Sequence, residues 1–183
     1  AEDKIIMFCN PSQGHKFMIV TWGGMIGATS GMNDQGLTVT LNASKSKIPF
    51  GSATPISLVA REILQYASTI QEALAIAEKR KTFVSESLFI GSAKDGKTAT
   101  IEKSPDKQAL FVSDKDYTIC SNHFQSAEMQ IPEIFNANPS DYATLYRFNR
   151  VDELIQQHQK LNLTNVASIL RDQKGMNNTN IGM

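Results

Sequence analysis

The sequence predicts an α+β fold, and three observations carry the prediction. The elements are segregated: strands, two helices, strands, two helices, an order that suits sheets between helical layers rather than alternating βαβ units. The strand stretches alternate or run apolar, whereas the helical stretches carry a one-sided apolar stripe. The 183 residues are 41% hydrophobic and 20% charged, which suits one globular domain over 1–183 with a real core.

Taken in order, Ile5 to Cys9 is an apolar run that reads as a buried strand. Asn10 to Gly14 is a turn, and Lys16 to Trp22 pairs back as a second strand. Gly23, Gly24 and Gly27 then break the chain, either for close backbone approach to a ligand or as a tight corner. Gly31 to Asn42 reads as a tight turn feeding a strand: Asn33-Asp34-Gln35-Gly36 supplies turn chemistry, with Gly36 free to take a positive φ. In the strand that follows, Leu37, Val39 and Leu41 alternate with Thr38, Thr40 and Asn42, which puts Asn42 on the face opposite the leucines. An amide held at a strand end is a good donor to a developing oxyanion, or simply the start of a turn.

Ser44 to Ser52 is a polar loop. Thr54 caps the first helix and Pro55 takes its first position, with Leu58, Val59, Ile63, Leu64 and Tyr66 at helical spacing to about Ala67. Thr69 to Glu72 is a capping box for a second helix, Ile70 to Arg80, whose apolar side holds Ala73, Leu74, Ile76 and Ala77. Ser87 to Ser92 and Thr98 to Glu102 form a hairpin around Asp95-Gly96. Ala109 to Ser113 and Tyr117 to Ser121 form another strand pair. Ser140 or Asp141 caps a helix to about His158, with Leu145, Phe148, Val151, Leu154 and Ile155 on one face. Thr164 caps a short last helix that Gly175 ends.

Composition excludes several functions. The 18 basic and 18 acidic residues cancel, and neither nucleic acid nor an anionic membrane is met by a balanced surface. No apolar run approaches a membrane span and no signal peptide is visible. The compartment stays open, an extracytoplasmic (periplasmic or secreted) one included. Cys9 and Cys120 make no disulfide framework and sit in apolar runs, as buried free thiols do. His15, His123 and His158 lack ligand spacing and no phosphate loop is present, so no metal and no cofactor is expected.

Three polar residues stand out. Asn122 follows the stretch Tyr117 to Ser121 as Asn42 follows its own strand. His123 beside Phe124 is a general base or a satisfied structural histidine. Arg147 lies in Tyr146-Arg147-Phe148-Asn149-Arg150, where it either serves a site or pairs with Asp141 or Asp152 on the helix surface.

The stretch Gly31 to Leu37, with Asn42 closing the strand, resembles the Gly-Met-Asn-Glu-x-Gly-Leu…Leu-Asn signature of N-terminal-nucleophile (Ntn) amidases. The nearest branches are the acyl-CoA:6-aminopenicillanic-acid acyltransferase (isopenicillin N acyltransferase-like) family and the related choloylglycine hydrolases. The resemblance runs from about Ile5 to Met183. It implies an αββα four-layer sandwich and a reaction at a linear, non-peptide amide C–N bond through an acyl-thioester. It also implies roles. Asn42 helps form the oxyanion hole, Asn122 in Asn122-His123-Phe124 contacts the scissile carbonyl or the nucleophile's amine, and Arg147 reaches the nucleophile, with Arg150 the weaker candidate. The nucleophile's own α-amine is then the base, which removes the need for His123.

The match fails at the nucleophile. A mature chain of this branch begins with Cys, followed soon by Arg and Asp, whereas here the first residue is Ala1. Cys9 is preceded by an apolar strand and lies too close to Gly31-Met32-Asn33. Residues 177–183 stop where the family continues into further strands. The expectation is therefore an internal fragment, truncated at both ends and inactive alone, of an amidase or acyltransferase that takes a small-molecule amide or acyl substrate. The alternative is a non-catalytic binding or scaffold domain of the same fold. Sheet edges left unpaired are an expected route to a homo-oligomer.

Overall fold

Seven antiparallel strands follow one another as a meander in the computed structural model, which describes residues 3–44, 53–130 and 139–178, the side chains of 139–142 apart. They are β1 (Lys4–Cys9), β2 (Phe17–Trp22), β3 (Ser30–Asn33), β4 (Leu37–Ala43), β5 (Glu86–Ser92), β6 (Lys97–Lys103) and β7 (Gln108–Phe111). The helices are α1 (Ile56–Tyr66), α2 (Ile70–Lys79), α3 (Pro139–Gln156) and α4 (Leu163–Leu170), with a 3-10 turn over Met176–Asn178. Strands and helices are segregated, as the order of the sequence patterns predicts. Among the described residues the strands form a single sheet.

The side-chain alternation of β4 sets the two faces. Leu37 and Val39 share one face with Ile19 of β2, Leu88 and Ile90 of β5, and Ile101 of β6, and all six are buried. Against them pack Val59, Ala60, Ile63 and Leu64 of α1 and Ala73 and Ala77 of α2. Each buried Val, Leu or Ile in this layer contributes about 1.5–3 kcal/mol, so the layer is the main source of stability. Asn42 falls on the opposite face, in register with Ser87.

That opposite face receives the chain after β7. The Thr98 hydroxyl donates to Thr118 Oγ1, and the buried Glu102 carboxylate accepts from Gln125 N, Ser126 N and Ser126 Oγ. A fully buried carboxylate is tolerable because three donors satisfy it. Tyr117 and Lys115 then meet Asp152 of α3 at 2.6 and 2.7 Å, which anchors that helix over the same side.

Several local expectations are corrected. Tyr117 to Ser121 is not a strand, because its partners are side chains and no strand among the described residues supplies a ladder. Gly31 to Asn33 belongs to a strand, β3, which pairs with β2 and β4. Pro55 and not Thr54 is the N-cap of α1, since Thr54 is held in a bridge to Thr82. Thr69 does cap α2, but the Glu72 carboxylate accepts from Ser68 N rather than from the cap's own amide. Asn162, not Thr164, caps α4 through a capping box with Asn165, and the helix ends at Leu170, ahead of Gly175. The third helix begins at Pro139, so Ser140 and Asp141 lie inside its first turn, and the loop 45–52 lies outside the described residues. Gly27 takes the corner reading: a Cβ there would run into the Ser57 side chain, so the glycine serves close packing on α1.

Candidate active site

Asn42 stands at the end of β4, on the face away from the leucines, and its amide donates to Cys120 Sγ at 3.3 Å. Two residues along the facing segment, Asn122 donates from Nδ2 to the carbonyl of Ala43 at 2.8 Å. Residues 42–43 and 120–122 are therefore stitched together twice, although about 80 residues separate them. From α3, Arg147 donates through Nη2 to Asn122 Oδ1 at 2.9 Å and through Nε to the carbonyl of Ala143 at 3.2 Å. The structure thus brings Asn42, Asn122 and Arg147 to one cleft of about 680 Å³. Its remaining wall is largely apolar, with Ile119, Phe148, Val151, Leu154 and Ile169.

Arg150, one helical step further on, also reaches the cleft's rim, but its guanidinium is committed elsewhere. It lies 2.9 Å from Asp172, 3.0 Å from Glu153 and 2.9 Å from Asn178. Hydrogen bonding to Asp172, and then Glu153, holds its pKa above the usual arginine range. Of the expected surface partners of Arg147, Asp152 is taken by Lys115 and Tyr117, and the side chain of Asp141 lies outside the described residues.

The two cysteines are free thiols. Burial pushes the Cys120 thiol up to about 12, with Thr100, Asn42 and Ser87 too weak as donors to offset it. A thiol so placed is neutral at physiological pH and a poor nucleophile. Cys9 is packed, partly buried, against the main core. His123 points its Nδ1 at Thr144 Oγ1, 3.1 Å away, and its ring stands edge-on to Phe148 at 5.3 Å. Burial, then the charge of Arg147, holds its pKa below the usual imidazole value.

The sequence reading missed Thr144 and Ser121. Thr144 is buried on α3 and its hydroxyl meets Ser121 Oγ at 2.7 Å and Asn122 N at 2.9 Å. The only signal in the sequence is position, three residues before Arg147 and hence on the same helix face. A Ser-His-Asp order also exists far from this cleft. His15 Nε2 is 3.1 Å from Ser68 Oγ, but His15 Nδ1 is 3.7 Å from Asp34, beyond hydrogen-bond reach, and Ser68 is only 7% exposed. It joins two turns and offers no accessible nucleophile. Among the described residues no cluster of His, Cys, Asp or Glu could hold a metal ion, and no helix is long and apolar enough to cross a membrane.

Solved structures share this α+β fold. An N-acylethanolamine-hydrolyzing acid amidase ortholog from Caenorhabditis elegans superposes with a TM-score of 0.68 at 13% identity, over 93% of this chain and 74% of that one. A conjugated bile acid hydrolase variant from Clostridium perfringens gives 0.60 at 15% identity, over 98% of this chain and 76% of that one. A second variant of that hydrolase gives 0.59 at 15% identity, over 93% and 71%. The model of the acyl-coenzyme A:6-aminopenicillanic acid acyl-transferase family matches residues 2–180, and the chain belongs to that family. An uncharacterized protein of Archaeoglobus fulgidus is 30% identical over 112 residues, 58% of this chain. The matched stretch spans about a fifth of that relative, 19% of its length.

Proposed function

We propose that this chain carries the carbonyl-activating part of a cysteine Ntn amidase or acyltransferase that cleaves a linear, non-peptide amide. The observation that carries the reading is the convergence of Asn42, Asn122 and Arg147 on one cleft from three separate elements. In such a reaction a thiolate attacks the amide carbon and its oxygen gains negative charge. The amide N–H groups of Asn42 and Asn122 are donors for that oxygen, a contribution worth about 10²–10³ in rate per donor. The Arg147 cation favours the thiolate over the thiol. The amine leaves with a proton, and water or a second amine resolves the acyl-thioester. The apolar wall of the cleft suits an apolar acyl group.

Neither cysteine of the chain fits the attacking role. Cys120 is buried and held protonated, and Cys9 is packed on the core. The purified 183-residue chain is therefore expected to show no turnover of penicillin V, a bile-salt amide or an N-acyl amino acid. Turnover of any of them by this chain alone overturns the assignment of roles. In a longer polypeptide that supplies an N-terminal cysteine, Asn42→Ala and Asn122→Ala should each lower kcat with little change in KM. An unchanged kcat in both would favour a non-catalytic binding domain.

A further inference from the structure

We infer that Thr144 is the positioning residue of this site, the group that fixes Asn122 against Arg147; the inference rests on the catalytic reading of the cleft. Three consecutive residues of one loop converge on its single hydroxyl. Ser121 Oγ is 2.7 Å away, Asn122 N 2.9 Å and His123 Nδ1 3.1 Å. A threonine hydroxyl has one proton and two lone pairs, so three partners use its whole capacity. The Asn122 N–H donates to Thr144 Oγ1, and the hydroxyl's proton and second lone pair serve Ser121 Oγ, which also reaches the Thr144 carbonyl at 3.3 Å, and His123 Nδ1. The Thr144 side chain is buried, so the hydroxyl has no water to turn to.

The consequence falls on Asn122. Its backbone is held by Thr144, its Oδ1 by Arg147 one turn further along α3, and its Nδ2 by Ala43. Helix α3 therefore grips the residue at two points three positions apart. The Arg147 contact is the weaker grip, because that side chain is exposed and an exposed contact holds little geometry by itself. The buried Thr144 hydroxyl supplies the fixed reference. Thr144 touches no reacting atom in this account and acts only through Asn122.

The test is amide hydrogen exchange and side-chain amide NMR on the isotope-labelled chain. In the wild type the Asn122 N–H should exchange at least about 10-fold more slowly than an unstructured amide, since a buried acceptor holds it. Thr144→Val keeps the shape and removes the hydroxyl. It should erase that protection and move the Asn122 side-chain amide resonances, while Ile90 and Ile101 in the sheet keep theirs. Thr144→Ser restores the hydroxyl and should keep Asn122 within about threefold of wild type. An unprotected Asn122 in the wild-type chain overturns the inference without any variant. So does a Thr144→Val chain in which Asn122 is unchanged, or one in which Ile90 and Ile101 loosen equally. In a polypeptide that supplies an N-terminal cysteine, loosening of Asn122 in Thr144→Val with kcat unchanged would sink the catalytic reading and leave the positioning of Asn122 standing.

Discussion

Arg147 and Arg150 stand three residues apart on α3 and do different work. Arg147 is exposed and bonds only Asn122 and a helix carbonyl in the described structure, so Arg147→Ala should cost roughly 0–1 kcal/mol of stability. On the proposed reading, in a polypeptide that supplies an N-terminal cysteine the same change should lower turnover by about 10²-fold or more, as removal of an electrostatic stabiliser does. A variant that keeps its rate makes Arg147 a surface charge. Arg150 is buried among Asp172, Glu153 and Asn178, and its removal strands two carboxylates. Arg150→Ala should therefore lower stability by about 2 kcal/mol, trimmed because both carboxylates keep some water contact. Urea denaturation of the two variants separates the roles. Cys120 adds a pH signature. Its thiol rises from 9.0 to about 12 on folding, so the folded state keeps a proton that the unfolded state loses between those values. Stability should fall as pH rises from about 9 toward 12, and Cys120→Ala should flatten that slope in denaturation curves.

At the scale of elements, Asn33 is the residue that joins the β3–β4 turn to the first helix. Its Nδ2 donates to the carbonyls of Leu64 and Ala67 at 2.9 and 2.7 Å, and its Oδ1 accepts from Gln35 N and Leu37 N at 3.1 and 3.0 Å. All four partners are main-chain groups, two of them the otherwise unpaired carbonyls at a helix end. Gly36 completes the turn at φ 76°, a conformation that costs other residues energy. The motif that dominates the sequence is thus a tie between sheet and helix, and it fixes the start of the strand whose far end presents Asn42. Asn33→Ala leaves these groups buried without partners and should cost about 3 kcal/mol. For a chain of this size that corresponds to a loss of about 6–12 °C in Tm by calorimetry. A loss below 2 °C would mean that water replaces the side chain there.

At the scale of the whole molecule, the described residues leave an apolar sheet face exposed. On the sheet face away from α1 and α2, Phe8, Met18 and Met32 lie in register across β1, β2 and β3, with Ile6 and Val20 beside them. Phe8 is 80% exposed and Ile6 61%, and β1 is the outer strand of the sheet. An apolar face next to an open strand edge recruits partners. The isolated chain is expected to self-associate with rising concentration, and Phe8→Lys to suppress it, as read by sedimentation velocity. A single monomer boundary at the highest concentration removes the expectation.

Most elements were legible from local pattern, because burying one face imposes a period on the sequence that generates it. The alternation of Leu37, Val39 and Leu41 put Asn42 on the far face, and the stripes of α1 and α2 marked the layer that covers the core. Caps and edges were less legible. Thr54 lost its expected place to a bridge with Thr82, and Tyr117 to Ser121 lacks the neighbour that a strand requires. Such outcomes depend on which segments meet, which local composition does not encode. The site divides in the same way. The sequence by itself singled out Asn42 at a strand end, and Asn122 and Arg147 through motif order, as candidates. Only the tertiary structure decided that Ala43 would bond Asn122, that Asn42 would bond Cys120, and that a single buried hydroxyl on α3 would hold three residues of a loop. Those contacts join positions 20 to 80 residues apart, and their partners are chosen by the packing of helix on sheet rather than by any neighbour in the chain.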